Sequence, residues 1–273
     1  MPSACLAWLS PPRICGPRCN QEGTVKLTRV EAADHDLEMK STNPYAGYRY
    51  PGEVIAHAVW LYHRFCLSFR DVEDLLAERG ITVSHETIRQ WCLKFGSSYA
   101  RSLRRRQGRP GDTWFLDEVF VSINGERHYL WRAVDQDGDV LDILVQKRRD
   151  KLAAKRFFMK LLKGLRYAPR VIVTDKLGSY GAARRELLPS VTHVQNRWLN
   201  NRAEVSHQPT RQRKRQMRRF KSMRHAQRFL SSHGVISNLF RLCRHGVKAA
   251  HYRILRGRAF DEWRQVTCAR NVC

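Results

Sequence analysis

The segment from Thr113 to Gln146 restricts the fold more than any other part of the chain. Thr113–Ile123 (TWFLDEVFVSI) is rich in β-branched and aromatic residues, and Asn124-Gly125 follows it directly. A type I′ two-residue hairpin turn needs positive φ at both positions, which Asn-Gly tolerates best, so this dipeptide is the strongest short-range hairpin signal. Residues 127–134 return as a second strand, and Asp137-Gly138 turns the chain into Val140–Gln146. The three strands predict an antiparallel meander. The period then changes. Leu152, Ala153, Phe157, Leu161 and Leu165 recur at helical spacing, residues 170–174 form a short apolar run, residues 180–188 read as a helix and 191–195 as a last strand. A long basic helical region follows Asn200.

The order βββαβαβα is that of an RNase H-like α/β fold with a mixed sheet covered by helices. An all-α helix-turn-helix module is expected ahead of it. Val54, Ile55, Ala58, Val59, Leu61 and Tyr62 share one side of a first helix. Ser68 suits the N-cap of a second helix, with Asp71 and Glu73 in its first turn and Gly80 at its end. Ser84 suits the N-cap of a third, whose Thr87, Ile88, Trp91, Cys92 and Phe95 pack while Arg89, Gln90 and Lys94 face outward. In a helix-turn-helix that last helix enters the major groove. The expected division is a flexible or mistranslated extension at 1–38 with Met39 as a credible start, the helix-turn-helix domain at 39–100, a basic linker at 101–112, the catalytic domain at 113–245 and a basic tail at 246–273. Gly108 and Pro110 in the linker stop a helix.

Charge identifies the partner. The chain has 50 Lys and Arg against 25 Asp and Glu, a formal net charge of +25. That balance points to a polyanion, nucleic acid above all, as the partner. Residues 1–38 contribute none of the excess. Between Glu204 and Asp261 there are fifteen Lys and Arg and no acid, interrupted by buriable residues such as Phe220, Phe229, Leu230 and Ile236, which predicts a folded DNA-facing surface. Arg104, Arg105, Arg106, Lys176, Arg202, Arg211, Arg213, Lys214, Arg215 and Lys221 are the expected phosphate contacts, beside Arg89, Gln90 and Lys94 on the reading helix. No apolar run is long enough to span a bilayer, so no membrane is expected. Eight irregularly spaced Cys do not form a disulfide framework, and a reducing cytoplasm fits them.

The chemistry is expected at three carboxylates. Asp117 lies within the first strand and Asp175 ends the fourth, and these strands are neighbours in the RNase H-like order. Glu204 begins the helix after the fifth strand and reaches the same place. Three converging carboxylates need cations between them, and hard oxygen ligands select Mg²⁺, with Mn²⁺ as substitute. Two such ions activate an attacking hydroxyl and stabilise the leaving oxygen of a phosphodiester. Glu118, by strand alternation, faces away from Asp117. Asp135, Asp137, Asp139 and Asp142 do not follow a calcium-loop register. Neither Cys15 with Cys19, Cys243 with His245, nor His225 with His233 completes a zinc set.

At these residues the chain resembles the insertion sequence six family of bacterial transposases. The likeness runs from about Asn43 to Tyr252 through AERGITVSHETIRQW, WFLDEVFVSINGERHYLWRAVDQDG, VIVTDKLGSYGAA, LNNRAEVSHQPTRQRKR and FKS. The resemblance implies Asp117, Asp175 and Glu204 as a catalytic triad and a helix-turn-helix that recognises the element's terminal inverted repeats. It also implies a homo-oligomer that exposes 3′-hydroxyl ends and joins them to target DNA, typically as cointegrates. The interval between Asp175 and Glu204 is shorter than in better-known members, which a shorter loop between the fourth and fifth strands absorbs. Asn200, Asn201 and His207, with Lys176 and Arg202, match the neighbourhood of the motif, in a structural, DNA-positioning or catalytic role. A non-catalytic helix-turn-helix regulator and an RNase H-like nuclease are the alternatives.

Overall fold

The computed structural model describes residues 43–175, 177–196, 199–216, 220–242 and 247–268. The expected extension at 1–38, and Met39, lie outside the described residues. The chain opens with three helices, α1 (Gly52–Arg64), α2 (Phe69–Ala77) and α3 (His85–Arg106). A meander of β1 (Thr113–Ile123), β2 (Glu126–Asp135) and β3 (Val140–Gln146) follows. Two helical crossovers add strands on the far side: α4 (Lys151–Leu165) leads to β4 (Val171–Thr174), and α5 (Gly178–Leu187) to β5 (Thr192–Gln195). Four helices close the described chain: α6 (Asn201–Ser206), α7 (Gln208–Gln216), α8 (Met223–Leu239) and α9 (Ala249–Thr267).

The strand order is β3-β2-β1-β4-β5, with β1, β2 and β3 antiparallel in succession and β4 and β5 parallel to β1. This mixed sheet, in the chain order βββαβαβα, is the RNase H-like fold. The local reasons are those written in the sequence. Asn124 and Gly125 turn the first hairpin at φ 50° and 82°, the pair of positive values that a tight hairpin demands. Ser68 and Asp71 form a reciprocal capping box on α2 at 3.1 and 2.7 Å. Ser84 caps α3 through Thr87 N, and Asp150 caps α4 through Ala153 N at 2.8 Å.

Strand alternation divides the sheet into two apolar faces. Trp114 and Leu116 of β1 and Trp131 and Ala133 of β2 point toward α4 and α5, where Phe157, Phe158, Leu161 and Tyr180 are buried. Phe115, Val119, Val121 and Ile123 point the other way, toward α8. This second face continues without a break into the N-terminal helices: Ile55, Val59, Trp91, Phe95 and Tyr99 belong to the same core as Val121, Ile123, Leu230 and Ile236. The three N-terminal helices therefore sit on the sheet's own helical layer.

Two expected boundaries differ from the structure. Residues 101–106 were expected to begin a linker, yet they continue α3 to Arg106. Arg is a good helix former, Leu103 is buried on the packing side, and no breaker occurs before Gly108. Residues 246–273 were expected as a tail, yet they contain the 19-residue α9. Its Leu255, Ala259, Trp263 and Val266 make a buried helical stripe, and Trp263 meets Tyr99 edge-on at 5.3 Å. The excess of charge around that stripe hid it. Among the described residues no helix is long and apolar enough to cross a membrane.

Candidate active site

Asp117 lies in β1 on the face toward α6. The parallel register pairs Leu116 with Thr174, the last residue of β4, so the next residue of each strand is an aspartate, Asp117 beside Asp175. Their side chains are 15% and 30% exposed, enough to open on solvent where β4 ends beside the middle of β1. Asp175 Oδ1 accepts a hydrogen bond from Leu177 N at 3.0 Å, which starts the turn into α5.

Helix α6 is pinned to the sheet beside this pair. Asn200 Nδ2 donates to Leu116 O at 2.9 Å, and Ala203 is fully buried. His207, also fully buried, brings Nε2 to 3.4 Å from Asp117 Oδ2. Burial, only partly offset by Asp117, lowers His207 to about 4, so the ring is neutral at physiological pH. Beneath it, Arg132 is buried on β2, where the antiparallel register sets it opposite Asp117. Its guanidinium donates to Ser206 O and Thr210 Oγ1, tying both α6 and α7 to the sheet, and burial pulls it down to about 9. Glu204 rides on this anchored helix with its side chain exposed.

The structure thus sets Asp117 and Asp175 side by side and holds the helix of Glu204 against the same strand. It does not gather all three: among the described residues no three acidic, His or Cys side chains come close enough to hold a metal ion. The donor set of carboxylate oxygens fits a hard divalent cation by its chemistry. A neutral His207 adds no cation to compete.

Glu118 obeys the alternation and turns to the α4–α5 face, where its side chain is 1% exposed. It is nevertheless electrically close to the site. Burial pushes its carboxyl up to about 7; the Tyr180 hydroxyl and Arg149 oppose that rise, whereas Asp175 and Asp117 add to it. Arg149 Nε donates to Glu118 Oε1 at 2.6 Å. Nothing in the local sequence signalled Arg149, which reaches Glu118 only through the fold. A signal for Arg132 did exist, because a charge inside the buried strand YLWRAV must face something polar.

The expected DNA contacts scatter. Arg89 is exposed but bound to Glu86 through Nε and Nη2 at 2.8 and 2.6 Å. Gln90 touches the same carboxylate, and Lys94 lies over the Tyr48 ring at 4.6 Å. Arg104 donates to Ser231 O, Arg106 pairs with Glu262 at 3.1 Å, and Arg105 is exposed on α3. Arg211, Arg215 and Lys221 are exposed. Arg213 is not available to DNA: it is fully buried, stacks on the Tyr62 ring at 4.2 Å and donates to Phe65 O and Leu67 O at 3.0 and 2.6 Å. A basic run on a helix reads as solvent-facing, but a helix packed on one side must turn some of its residues inward. Lys176 lies outside the described residues, as do Cys243 and His245 and the side chains of Arg202 and Lys214.

Comparison with known proteins bears on the family. The DDE domain family of IS240-type transposases matches residues 111–242, a span that holds the whole sheet, both aspartates and Glu204. Over 167 residues the chain is 31% identical to a Staphylococcus aureus transposase for the insertion sequence-like element IS431mec, covering 59% of this chain and 74% of that protein. It is 30% identical, over the same shares, to the Staphylococcus aureus transposase for insertion sequence element IS257 in transposon Tn4003. Among solved structures it is similar to the HTLV-2 integrase catalytic core domain in complex with magnesium, at 12% identity and a TM-score of 0.37, covering 50% of this chain and 90% of that one. With two aspartates adjacent on an RNase H-like sheet inside a matched DDE domain, and most of a named relative aligned, the chain belongs to the insertion sequence six family of DDE transposases.

Proposed function

We propose that Asp117, Asp175 and Glu204 are the catalytic carboxylates and that they hold two Mg²⁺ ions, with Mn²⁺ as substitute. The observation that carries this reading is the Leu116–Thr174 register, which brings two aspartates distant in sequence to one strand end. When bound, the ions supply an activated hydroxyl and charge neutralisation at the scissile phosphodiester. The protein's own groups do the rest. Asn200, Arg132 and His207 fix α6, the helix that carries Glu204, against the sheet, and Leu177 N orients the Asp175 carboxylate.

Residues 39–100 read the terminal inverted repeats through α3, with Arg89, Gln90 and Lys94 toward the bases, while the exposed Arg105, Arg211, Arg215 and Lys221 track phosphates. The enzyme works as a homo-oligomer on double-stranded DNA in the bacterial cytoplasm, exposing 3′-hydroxyl ends and joining them to target DNA.

The test is a strand-transfer assay with Mg²⁺ and an oligonucleotide carrying the element's end, whose sequence the DNA flanking the gene supplies. Asp117→Asn, Asp175→Asn and Glu204→Gln each keep the shape of the residue they replace and remove one negative charge. Each should abolish cleavage and joining while leaving end binding intact, because phosphate contacts elsewhere do not need the metal. Retained joining in any one of them removes that residue from the set. Hydrolysis without joining in the wild-type protein would make it a nuclease instead.

A further inference from the structure

Arg149 follows β3 in the short connection to α4 and stands between two carboxylates. Its Nε donates to Glu118 Oε1 at 2.6 Å, and its Nη2 lies 3.7 Å from Asp175 Oδ2. The two contacts differ in kind. The first is a tight ion pair with a carboxylate buried under Tyr180. Removing the cation from such a group is costly, so Glu118 holds Arg149 in place. The second is beyond hydrogen-bond length, so it neutralises Asp175 through space without tying it down. A guanidinium does not shed its proton near neutral pH. Arg149 is therefore a permanent positive charge beside one of the carboxylates proposed to take metal.

We infer that Arg149 is the resident countercation of Asp175, anchored by Glu118, and that it weakens the site's hold on divalent metal to a set degree. The inference rests on the reading of Asp175 as a metal ligand. Arg149 is a positioning residue: it acts on metal occupancy through Asp175 and takes no part in bond making. The pairing gives a physical reason for a buried Glu at 118. Without it, Arg149 would settle fully on Asp175 and close the site.

The experiment is Mn²⁺ binding to the full chain, followed by the electron paramagnetic resonance signal of the free ion, with circular dichroism melting to check each variant's fold. Arg149→Gln removes the positive charge 3.7 Å from Asp175 Oδ2 and should tighten binding on the order of tenfold. Arg149→Lys keeps the charge and should bind as wild type does. Glu118→Gln frees Arg149 toward Asp175 and should bind more weakly. A merely structural role would shift all three in one direction. Asp175→Asn is the reference. If it binds Mn²⁺ as wild type does, the metal-ligand reading of Asp175 fails. If it loses binding while Arg149→Gln is unchanged or weaker, the reading stands and the countercation inference is overturned. Should Arg149→Gln not fold, the other pair decides, because Glu118→Gln binding no more weakly than Arg149→Lys overturns the inference as well.

Discussion

Arg213 shows how far the role of a single residue can depart from its local sequence. It sits in QPTRQRKRQ, a stretch whose basic residues invite a reading as DNA contacts. In the fold its guanidinium is enclosed by Tyr62 and Phe229 and satisfies the carbonyls of Phe65 and Leu67 in the turn between α1 and α2. Arg213→Ala should therefore destabilise the protein by about 2 to 4 kcal/mol, through two unpaired carbonyls and the lost ring contacts. Its non-specific DNA affinity should stay within experimental error of wild type. Denaturant unfolding and fluorescence anisotropy measure the two quantities, and a DNA-binding loss with full stability would return Arg213 to the surface. Glu118 gives the complementary lesson. Alternation placed its side chain on the correct face, but the face of a strand says nothing about charges arriving from a neighbouring loop. The ion pair with Arg149 is a product of three dimensions.

At the scale of elements, most of the fold was legible because it is written in local periods and caps. The alternating strands, the Asn124-Gly125 turn and the Ser68 and Ser84 caps all act over a few residues, and the structure keeps each of them. The two adjacent aspartates followed from strand order alone. What the sequence left hidden depends on distant packing: the run of α3 through the Arg-rich stretch, the helical state of α9, and the break at His207 that separates α6 from α7 and turns the imidazole inward. Helix α3 also carries a prediction. Its Arg89 is engaged with Glu86 on the same face, so reaching a base means exchanging one bidentate partner for another. If it does so, Arg89→Ala should erode discrimination between element end and random DNA by about 1 to 3 kcal/mol. Competitive binding on the two DNAs measures this, and an equal loss on both would reduce Arg89 to a phosphate contact.

At the scale of the whole molecule, the sequence presents a reading module, a linker and a catalytic domain, while the structure packs the first and last around one continuous core. Val121, Ile123 and Leu230 share that core with Ile55, Trp91 and Phe95, and α9 completes it against Tyr99. Arg213 adds a polar tie between α7 and the turn after α1, and Arg64 donates to Phe240 O. Separating the parts at residues 101–112 would cut α3 within its helical run and leave buried side chains of both pieces in water. Each fully buried Val, Leu, Ile or Phe exposed in this way forfeits about 1.5 to 3 kcal/mol, and several such losses exceed the whole stability of a domain, about 5 to 15 kcal/mol. Residues 39–100 alone should therefore lack a cooperative melting transition, and residues 113–245 alone should bind a hydrophobic dye and aggregate. The full chain should unfold with the N-terminal helices and the sheet melting together, as followed by hydrogen exchange at Ile88 and Leu116. A sharp, independent transition for residues 39–100 would show that the N-terminal helices fold by themselves and only lean on the sheet.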